Sequence, residues 1–368
     1  MQEDSLIGAT LGNYKILAPL GQGGMARVYR AHQENLDREV AIKVLPPWYA
    51  ADRNFVERFK LEARLVARLS HPNIVTVHDA SEHNGHLYIV MQLVDGGTLK
   101  HRLDAVREQG KMMGVSEANR TFQQIASALS YAHERGIIHR DIKPVNVLMD
   151  QSGRPILSDF GIAKALEGTK ELTRPGAGVG TPEYMSPEQC KGEPVDGRAD
   201  IYALGVMLFE ALTGRTPFTG DNYPALAHSH IYEEPPDPRI FNPNISLEVT
   251  NVILTALRKK PQQRYQNAND MAMALENATN PSNKGVQERS LRSAYQYSDT
   301  QPVSPSPQPI HRTPTTPIYA CPHCQHPNKP DVFYCIRCGS PLNRCRTCGK
   351  QNRARDRFCT QCGQVIGR

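Results

Sequence analysis

Between residues 14 and 45 the apolar positions come in short bursts, Ile16-Leu17, Val28-Tyr29 and the run from Val40 to Leu45. The glycine-rich Gly21-Gln22-Gly23-Gly24 and the polar Gln33-Glu34-Asn35 separate them. Short apolar runs bounded by turn formers predict β-strands. The spacing then changes: Phe55, Phe59, Glu62, Val66 and Leu69 recur at helical intervals, with a carboxylate inside the apolar stripe, where a charge needs a partner. Later patterns are mostly helical, through Phe122, Ile125, Leu129 and Ala132, then Ile201 to Leu212, then Val249 to Leu257, with one short apolar strand at Val147 to Met149. Strands first and helices afterwards predict an α+β fold.

Periodicity stops near Pro281. From there to Pro317 Ser, Thr, Pro and Gln dominate, as in Gln301-Pro302-Val303-Ser304-Pro305-Ser306-Pro307 and Thr313-Pro314-Thr315-Thr316-Pro317. Such a stretch has too little apolar surface to offset its ordering entropy and predicts a disordered tether. Its r.m.s. reach is roughly 30 to 40 Å on flexible-chain scaling. The expected organisation is a body over residues 11–278, a linker over 281–317 and a tail over 318–368. A chain of 368 residues is long enough for two domains, and 39% hydrophobic with 22% charged residues excludes a wholly disordered or membrane protein. The longest apolar run, Ile201 to Phe209, is far shorter than the about 20 residues that cross a bilayer. The acidic start, Met1-Gln2-Glu3-Asp4, leads into no apolar stretch, so the expectation is a cytoplasmic protein without a secretory signal or membrane span.

Charge and cysteine separate tail from body. Of the formal +6, residues 318–368 carry nine Lys/Arg against two Asp/Glu, whereas residues 1–280 carry 30 against 33. Eight of nine cysteines lie between Cys321 and Cys362, with only Cys190 outside.

The body's chemistry starts with Gly21-Gln22-Gly23-Gly24-Met25-Ala26-Arg27-Val28, lying between two expected strands, where glycine lets backbone N–H groups close over phosphate oxygens. A glycine-rich hairpin alone proves little. Val40-Ala41-Ile42-Lys43 then places a lysine on an apolar strand, where a buried ammonium requires carboxylate or phosphate partners, and Glu62 is the natural carboxylate. His139-Arg140-Asp141-Ile142-Lys143-Pro144-Val145-Asn146, Ser158-Asp159-Phe160-Gly161 and Ser186-Pro187-Glu188 follow in an order that matches the protein-kinase signature. Over about Leu11 to Ala278 the chain resembles a Hanks-type, eukaryotic-like serine/threonine protein kinase of bacteria.

The resemblance implies a bilobal fold, with a β-rich N-terminal lobe and a helical C-terminal lobe. It implies that Lys43, oriented by Glu62, holds the α and β phosphates of ATP, while Asn146 and Asp159 bind Mg²⁺ or Mn²⁺ bridging the phosphates. Asp141 would accept the hydrogen bond of a substrate hydroxyl and Lys143 would contact the γ-phosphate. Leu20, Gly21, Gln22, Gly23, Gly24, Val28 and Ala41 would line the nucleotide, Met91 would stand behind adenine, and the backbone of Gln92 and Val94 would supply the hinge hydrogen bonds. Asp200 resembles the family's buried aspartate supporting the catalytic loop, and Arg264 the partner of Glu188. Two positions depart from the pattern: Ala26 replaces a glycine and Ser186 an alanine, both small for small. Arg140 is of the kind that pairs with a phosphothreonine. Of Thr169, Thr173 and Thr181, the last resembles the substrate-pocket threonine, which leaves Thr169 and Thr173 as expected autophosphorylation sites.

In the tail, Cys321, Cys324, Cys335 and Cys338 repeat 24 residues on as Cys345, Cys348, Cys359 and Cys362, and Asn328 matches Asn352. Each unit, Cys-x₂-Cys-x₁₀-Cys-x₂-Cys, is the ligand arrangement of a tetrahedral zinc site, so two Zn²⁺ are expected, with metal binding contributing most of the folding free energy. Disulfides compete poorly in a chain expected to stay in a reducing compartment. His323 and His326 read as surface residues, and Cys190 as an ordinary packed thiol. The tail resembles double zinc ribbon modules. Arg344, Arg346, Lys350, Arg353, Arg355 and Arg357 raise nucleic acid as a partner, but four thiolates and one Zn²⁺ leave each site near −2, reducing the tail's charge to about +3. A protein partner for the ribbons is the favoured expectation. The functional expectation is an ATP-dependent serine/threonine protein kinase with protein substrates, no membrane association and pairing of two copies in activation. A non-catalytic scaffold displaying the ribbons is the competing reading. Autophosphorylation of the tethered Ser304, Ser306, Thr313, Thr315 and Thr316 is a further expectation.

Overall fold

A computed structural model describes residues 6–22, 26–45, 53–160, 182–280 and 319–328. In the second cysteine unit it describes 342–345, 347, 348, 350–352, 356, 358, 359, 361, 362 and 364–366. The expected linker, Thr169, Thr173, Thr181, Gly23, Gly24, Cys335 and Cys338 lie outside the described residues. The chain divides into two units, Met1–Gln296 and Tyr297–Arg368, each taken by itself.

In the first unit, β1 (Thr10–Leu11), β2 (Tyr14–Gln22), β3 (Arg27–Gln33), β4 (Arg38–Leu45), β5 (Val77–His83) and β6 (His86–Gln92) form one antiparallel sheet in the order β1-β2-β3-β4-β6-β5. Strand alternation splits β4. Val40, Ile42 and Val44 pack with Tyr14, Ile16, Tyr29, Ala31, Tyr88 and Val90. Leu45 turns the other way and packs with Phe59 and Ala63 of helix α1 (Arg53–Val66) and with Leu87 and Ile89. Lys43 lies on that second face because it is two residues from Leu45. The helix ends at Val66, so Leu69, expected on its stripe, is buried just beyond it.

The second lobe contains α2 (Leu99–Glu108), α3 (Val115–His133), the hairpin β7 (Val147–Met149) and β8 (Pro155–Leu157), α4 (Pro187–Lys191), α5 (Gly197–Thr213), α6 (Tyr223–Tyr232), α7 (Leu247–Ala256) and α8 (Ala268–Thr279). Six of these helices begin at side-chain caps that the sequence supplies: Thr98, Ser186, Asp196, Asn222, Ser246 and Asn267 each accept from a backbone N–H in the first turn. Helix α5 is the axis of the lobe, with every residue from Ala199 to Thr213 buried, as a helix apolar on all faces must be. Gly205 makes that packing fit, since a Cβ there would stand 2.7 Å from Cβ of Ala256 on α7.

The second unit contains two knuckles of identical construction. Strand β9 (Tyr319–Ala320) pairs with β10 (Pro327–Asn328), and β11 (Asn343–Arg344) with β12 (Gln351–Asn352). Between them Cys321 N–H donates to the His326 carbonyl and Cys345 N–H to the Lys350 carbonyl, each at 2.9 Å. Asn328 and Asn352 are both buried, and their amides donate to those same two carbonyls at 2.7 and 2.9 Å. The 24-residue duplication is thus one of backbone hydrogen bonds as well as cysteines.

Candidate active site and metal centre

Sheet register collects the first half of the site. Directly opposed residues of an antiparallel pair share a face. Lys43 opposes Val28 on β3 and Ile89 on β6, and Ala41 opposes Met91, so Val28, Ala41, Lys43 and Met91 all look to the α1 side. Leu20 is 49% exposed at the mouth, and among the described residues nothing lies within 4 Å of where a Cβ on Gly21 would stand. The Gln92 N–H is spent on the Thr76 carbonyl at 2.9 Å, so its own carbonyl is the atom it can offer a ligand; Val94 follows β6 in an unpaired segment.

Lys43 Nζ stands 2.8 Å from Glu62 Oε1 and 2.9 Å from Asp159 Oδ1, joining β4, α1 and the segment after β8. Burial alone would lower the lysine pKa, but the carboxylates of Asp159 and Glu62 outweigh it and hold the ammonium well above its ordinary value. Burial raises Glu62, with Lys43 opposing it. The Lys43 ammonium holds Asp159 below the usual carboxylate range, although nearly half of that side chain remains open to solvent.

The second half is a loop braced from behind. Asp141 Oδ2 lies 2.9 Å from Lys143 Nζ, while Asn146 Nδ2 donates to both the Asp141 carbonyl, at 2.7 Å, and Asp141 Oδ2, at 3.0 Å. With both amide protons used, Asn146 presents its oxygen as the ligand atom. Arg140 and Asp159 have φ of 65° and 53°, a left-handed conformation costing roughly 1 kcal/mol for a residue with a Cβ. Such strain persists only where the surroundings over-determine it. Here Asp200, 1% exposed, accepts from the backbone N–H of His139 and of Arg140, each at 2.8 Å, and pairs with His133 Nε2 at 2.7 Å. Gln189 Nε2 donates to the Arg140 carbonyl at 2.8 Å. His139 is fully buried, and burial keeps its ring neutral; its Nε2 lies 3.0 Å from the Ser158 carbonyl and its ring stacks on Phe160 at 4.4 Å. It therefore ties Asp141's loop to Asp159's.

Arg264 and Glu188 form a buried two-pronged pair, 2.7 Å on each prong, with the remaining guanidinium protons on the Arg258, Arg198 and Lys259 carbonyls. The roles of His133 and His139, the Gln189 brace and the buried hydrogen bond from Tyr184 to Glu210 at 2.6 Å were not read from the sequence. The only signal was the place of His139 inside its motif.

In the second unit the sulfurs of Cys345, Cys348, Cys359 and Cys362 all lie within 4.8 Å of one another. The 345–362 and 348–359 sulfur pairs are 3.6 and 3.4 Å apart, well beyond a disulfide bond. Four thiols converging on one point fit a tetrahedral Zn²⁺, whose sulfur bonds are about 2.3 Å long. Cys321 is buried and Cys324 half-buried on the matching knuckle. Cys190 is half-buried, and burial pushes its thiol up to about 12.

A two-lobed body with a lysine held between two carboxylates, above a loop aspartate paired with lysine and asparagine, is the architecture of a phosphotransferase. A family model described as a protein kinase domain matches residues 14–276, and one described as a double zinc ribbon matches residues 321–363. The chain belongs to the protein kinase family. It is 44% identical over 274 residues to serine/threonine-protein kinase PrkC of Bacillus subtilis, covering 74% of this chain and 42% of that protein. It is 41% identical over 267 residues to serine/threonine-protein kinase PknB of Mycobacterium tuberculosis, covering 71% and 42%. The crystal structure of the Mycobacterium tuberculosis PknI kinase domain matches with a TM-score of 0.59 and 32% identity, covering 74% of this chain and 98% of that one. The chain spans about two fifths of the length of the curated relatives it matches. Among the described residues no helix is long and apolar enough to cross a membrane.

Proposed function

We propose that this chain is a serine/threonine protein kinase that transfers the γ-phosphoryl group of ATP to hydroxyls of protein substrates. The observation that carries this is the position of Lys43 Nζ, within 2.9 Å of both Glu62 and Asp159. That is a closed charge arrangement facing the strand surface where Val28, Ala41 and Met91 lie. Mg²⁺, for which the Asp159 carboxylate and the Asn146 amide oxygen are suitable ligands, would neutralise charge on the phosphates. Lys43 binds and orients the α and β phosphates, and Glu62 fixes its ammonium. The carbonyl of Gln92 and the backbone of Val94 read adenine, with Met91 behind it and Leu20, Gly21, Gln22, Gly23 and Gly24 above. Asp141 aligns the substrate hydroxyl and takes its proton, while Lys143 moves from Asp141 to the transferring phosphoryl group.

Thr181 belongs to the substrate pocket, and Thr169 and Thr173 are autophosphorylated, their phosphates pairing with Arg140. The kinase domain spans 11–278 and the linker 281–317, whose Ser304, Ser306, Thr313, Thr315 and Thr316 are also modified. The ribbons of 318–368, one Zn²⁺ each, recruit a protein partner or regulate the kinase in the cytoplasm, and two copies pair during activation. The test is transfer from Mg·ATP, to itself and to dephosphorylated casein, by the full chain and by Asp141→Asn. Transfer that disappears in the variant supports the reading. Absence of transfer in both favours a scaffold displaying the ribbons.

A further inference from the structure

Where the chain leaves α1 beside the C-terminal end of α3, a cavity of about 430 Å³ opens that the chemistry of the cleft does not use. That volume falls in the range of small-molecule sites, roughly 300–1,000 Å³. Its apolar lining is Leu65, Leu69, Ile137 and Ile138, of which Leu69 and Ile137 are buried and the other two half-buried. Its charged lining consists of the side chains of Arg68, Arg135 and Arg140, with no carboxylate among them.

The walls are formed in advance. The Ser70 N–H donates to the Tyr131 hydroxyl at 3.2 Å, which stitches the chain after α1 to α3. Tyr131 also holds Arg135, whose Nη1 donates to the Tyr131 carbonyl at 3.1 Å and whose guanidinium lies 3.6 Å from the ring centre. Gly136 turns the chain with a φ of 73° and leaves that stretch of wall without a side chain. The arginines are not equivalent. Arg135 is engaged by Tyr131, with the exposed Glu134 carboxylate 3.9 Å away. Among the described residues, neither Arg68 nor Arg140 has a carboxylate or a hydrogen-bond acceptor for its guanidinium.

A neutral apolar molecule here would strip water from two unpaired cations, and an inorganic anion would leave four aliphatic side chains in contact with water. Only a ligand with both properties satisfies the whole lining. We infer that this cavity is a binding site for an amphipathic anion, a carboxylate or phosphate group joined to an apolar body. The acid group is held by Arg68 and Arg140, whose planar guanidiniums can each form two parallel hydrogen bonds to either kind of oxyanion. The body lies against Leu65, Leu69, Ile137 and Ile138. Occupancy ties the end of the helix that carries Glu62 to the loop that carries Asp141.

The test uses the full zinc-loaded chain, treated with phosphatase and held without ATP, so its outcome does not depend on phosphate transfer. Octanoate and octyl phosphate are titrated in by calorimetry. Saturable one-to-one binding of at least one is expected, the tighter of the two identifying the acid group. Octanol and acetate, each with half of the ligand's chemistry, are expected to bind about ten-fold more weakly or worse. Arg68 is exposed and has no partner to lose, so Arg68→Gln keeps the fold. It is expected to weaken the better probe about ten-fold, the loss of one charged hydrogen-bonding group. Amide hydrogen exchange locates the site: residues 65–69 and 135–140 are expected to slow when the probe is bound. Saturable binding of neither probe, equal affinity for octanol, an unchanged Kd in Arg68→Gln, or slowing confined to other segments overturns the inference.

Discussion

The kinase body and the zinc-ribbon tail are ordered by opposite means. The body buries helix α5 almost entirely and wraps α3, α7 and α8 around it. In the described part of the ribbons the buried residues are Cys321, Cys345, Cys359, Asn328 and Asn352, with hardly an aliphatic among them. Apolar burial at roughly 25 cal/mol per Å² can hold the first and cannot hold the second, which depends on thiolates gathered by metal. Ion pairs follow the same division: in the body they lock a shape that the core already favours, whereas in the tail the charge is the core.

The largest test of that contrast is zinc removal. A structural Zn²⁺ contributes apparent free energies of about 10–16 kcal/mol in small ribbons, so a strong chelator is expected to collapse the amide dispersion of residues 319–366. The thermal midpoint of the body should stay where it was; a body that melts with the tail would break the comparison. Next come the body's buried charges. Arg264→Ala leaves Glu188 alone in the interior and is expected to cost about 3–5 kcal/mol in urea unfolding, while Arg264 and Glu188 replaced together by leucine and methionine should cost far less. Asp141→Asn is expected to lower phosphate transfer about 10²- to 10⁴-fold with little change in stability, separating chemistry from folding within one lobe.

The smallest effect compares thiols. Cys190 has a folded pKa near 12, above the ordinary value near 9, so the native state retains a proton that the unfolded state loses. Its contribution to stability is therefore complete below pH 9 and fades as pH rises from there towards 12. Iodoacetamide labelling of the metal-free chain at pH 8.5 is expected to reach the ribbon cysteines within minutes and Cys190 only under denaturant. Rapid native labelling of Cys190 would contradict its burial.

The sequence made the chemistry of the cleft more legible than its supports. Lys43, Glu62, Asp141, Asn146 and Asp159 stood out because each is a polar group where pattern demands an apolar one, or sits inside a dense motif. Short-range rules also exposed the strands between Tyr14 and Leu45, strand β7 and the 24-residue duplication. The bracing of the catalytic loop was less visible. Asp200 is marked by the family resemblance, but its three contacts come from His133, His139 and Arg140, some 60 positions earlier, and no local spacing encodes them. Tyr184 and Glu210, 26 apart, and Tyr202 and His230, 28 apart, were hidden for the same reason: a buried hydroxyl finds its partner through tertiary packing. Strand β5 escaped because its burial pattern has almost no apolar alternation, since it is an edge strand that pairs only with β6.

One contact bears on mechanics. Gly96 follows the strand that carries Met91 and Gln92, and a Cβ on it would fall 2.4 Å from the Met149 carbonyl and 2.6 Å from that of Asp150. Next to it, Met149 N–H bonds the Gly97 carbonyl at 2.9 Å. The lower end of the strap joining the lobes is thus laid flat on β7, backbone to backbone, with no side chain as a spacer. Any gape between the lobes is confined to the few peptide units from Leu93 to Asp95, and this makes the joint a short-armed one that turns without sliding.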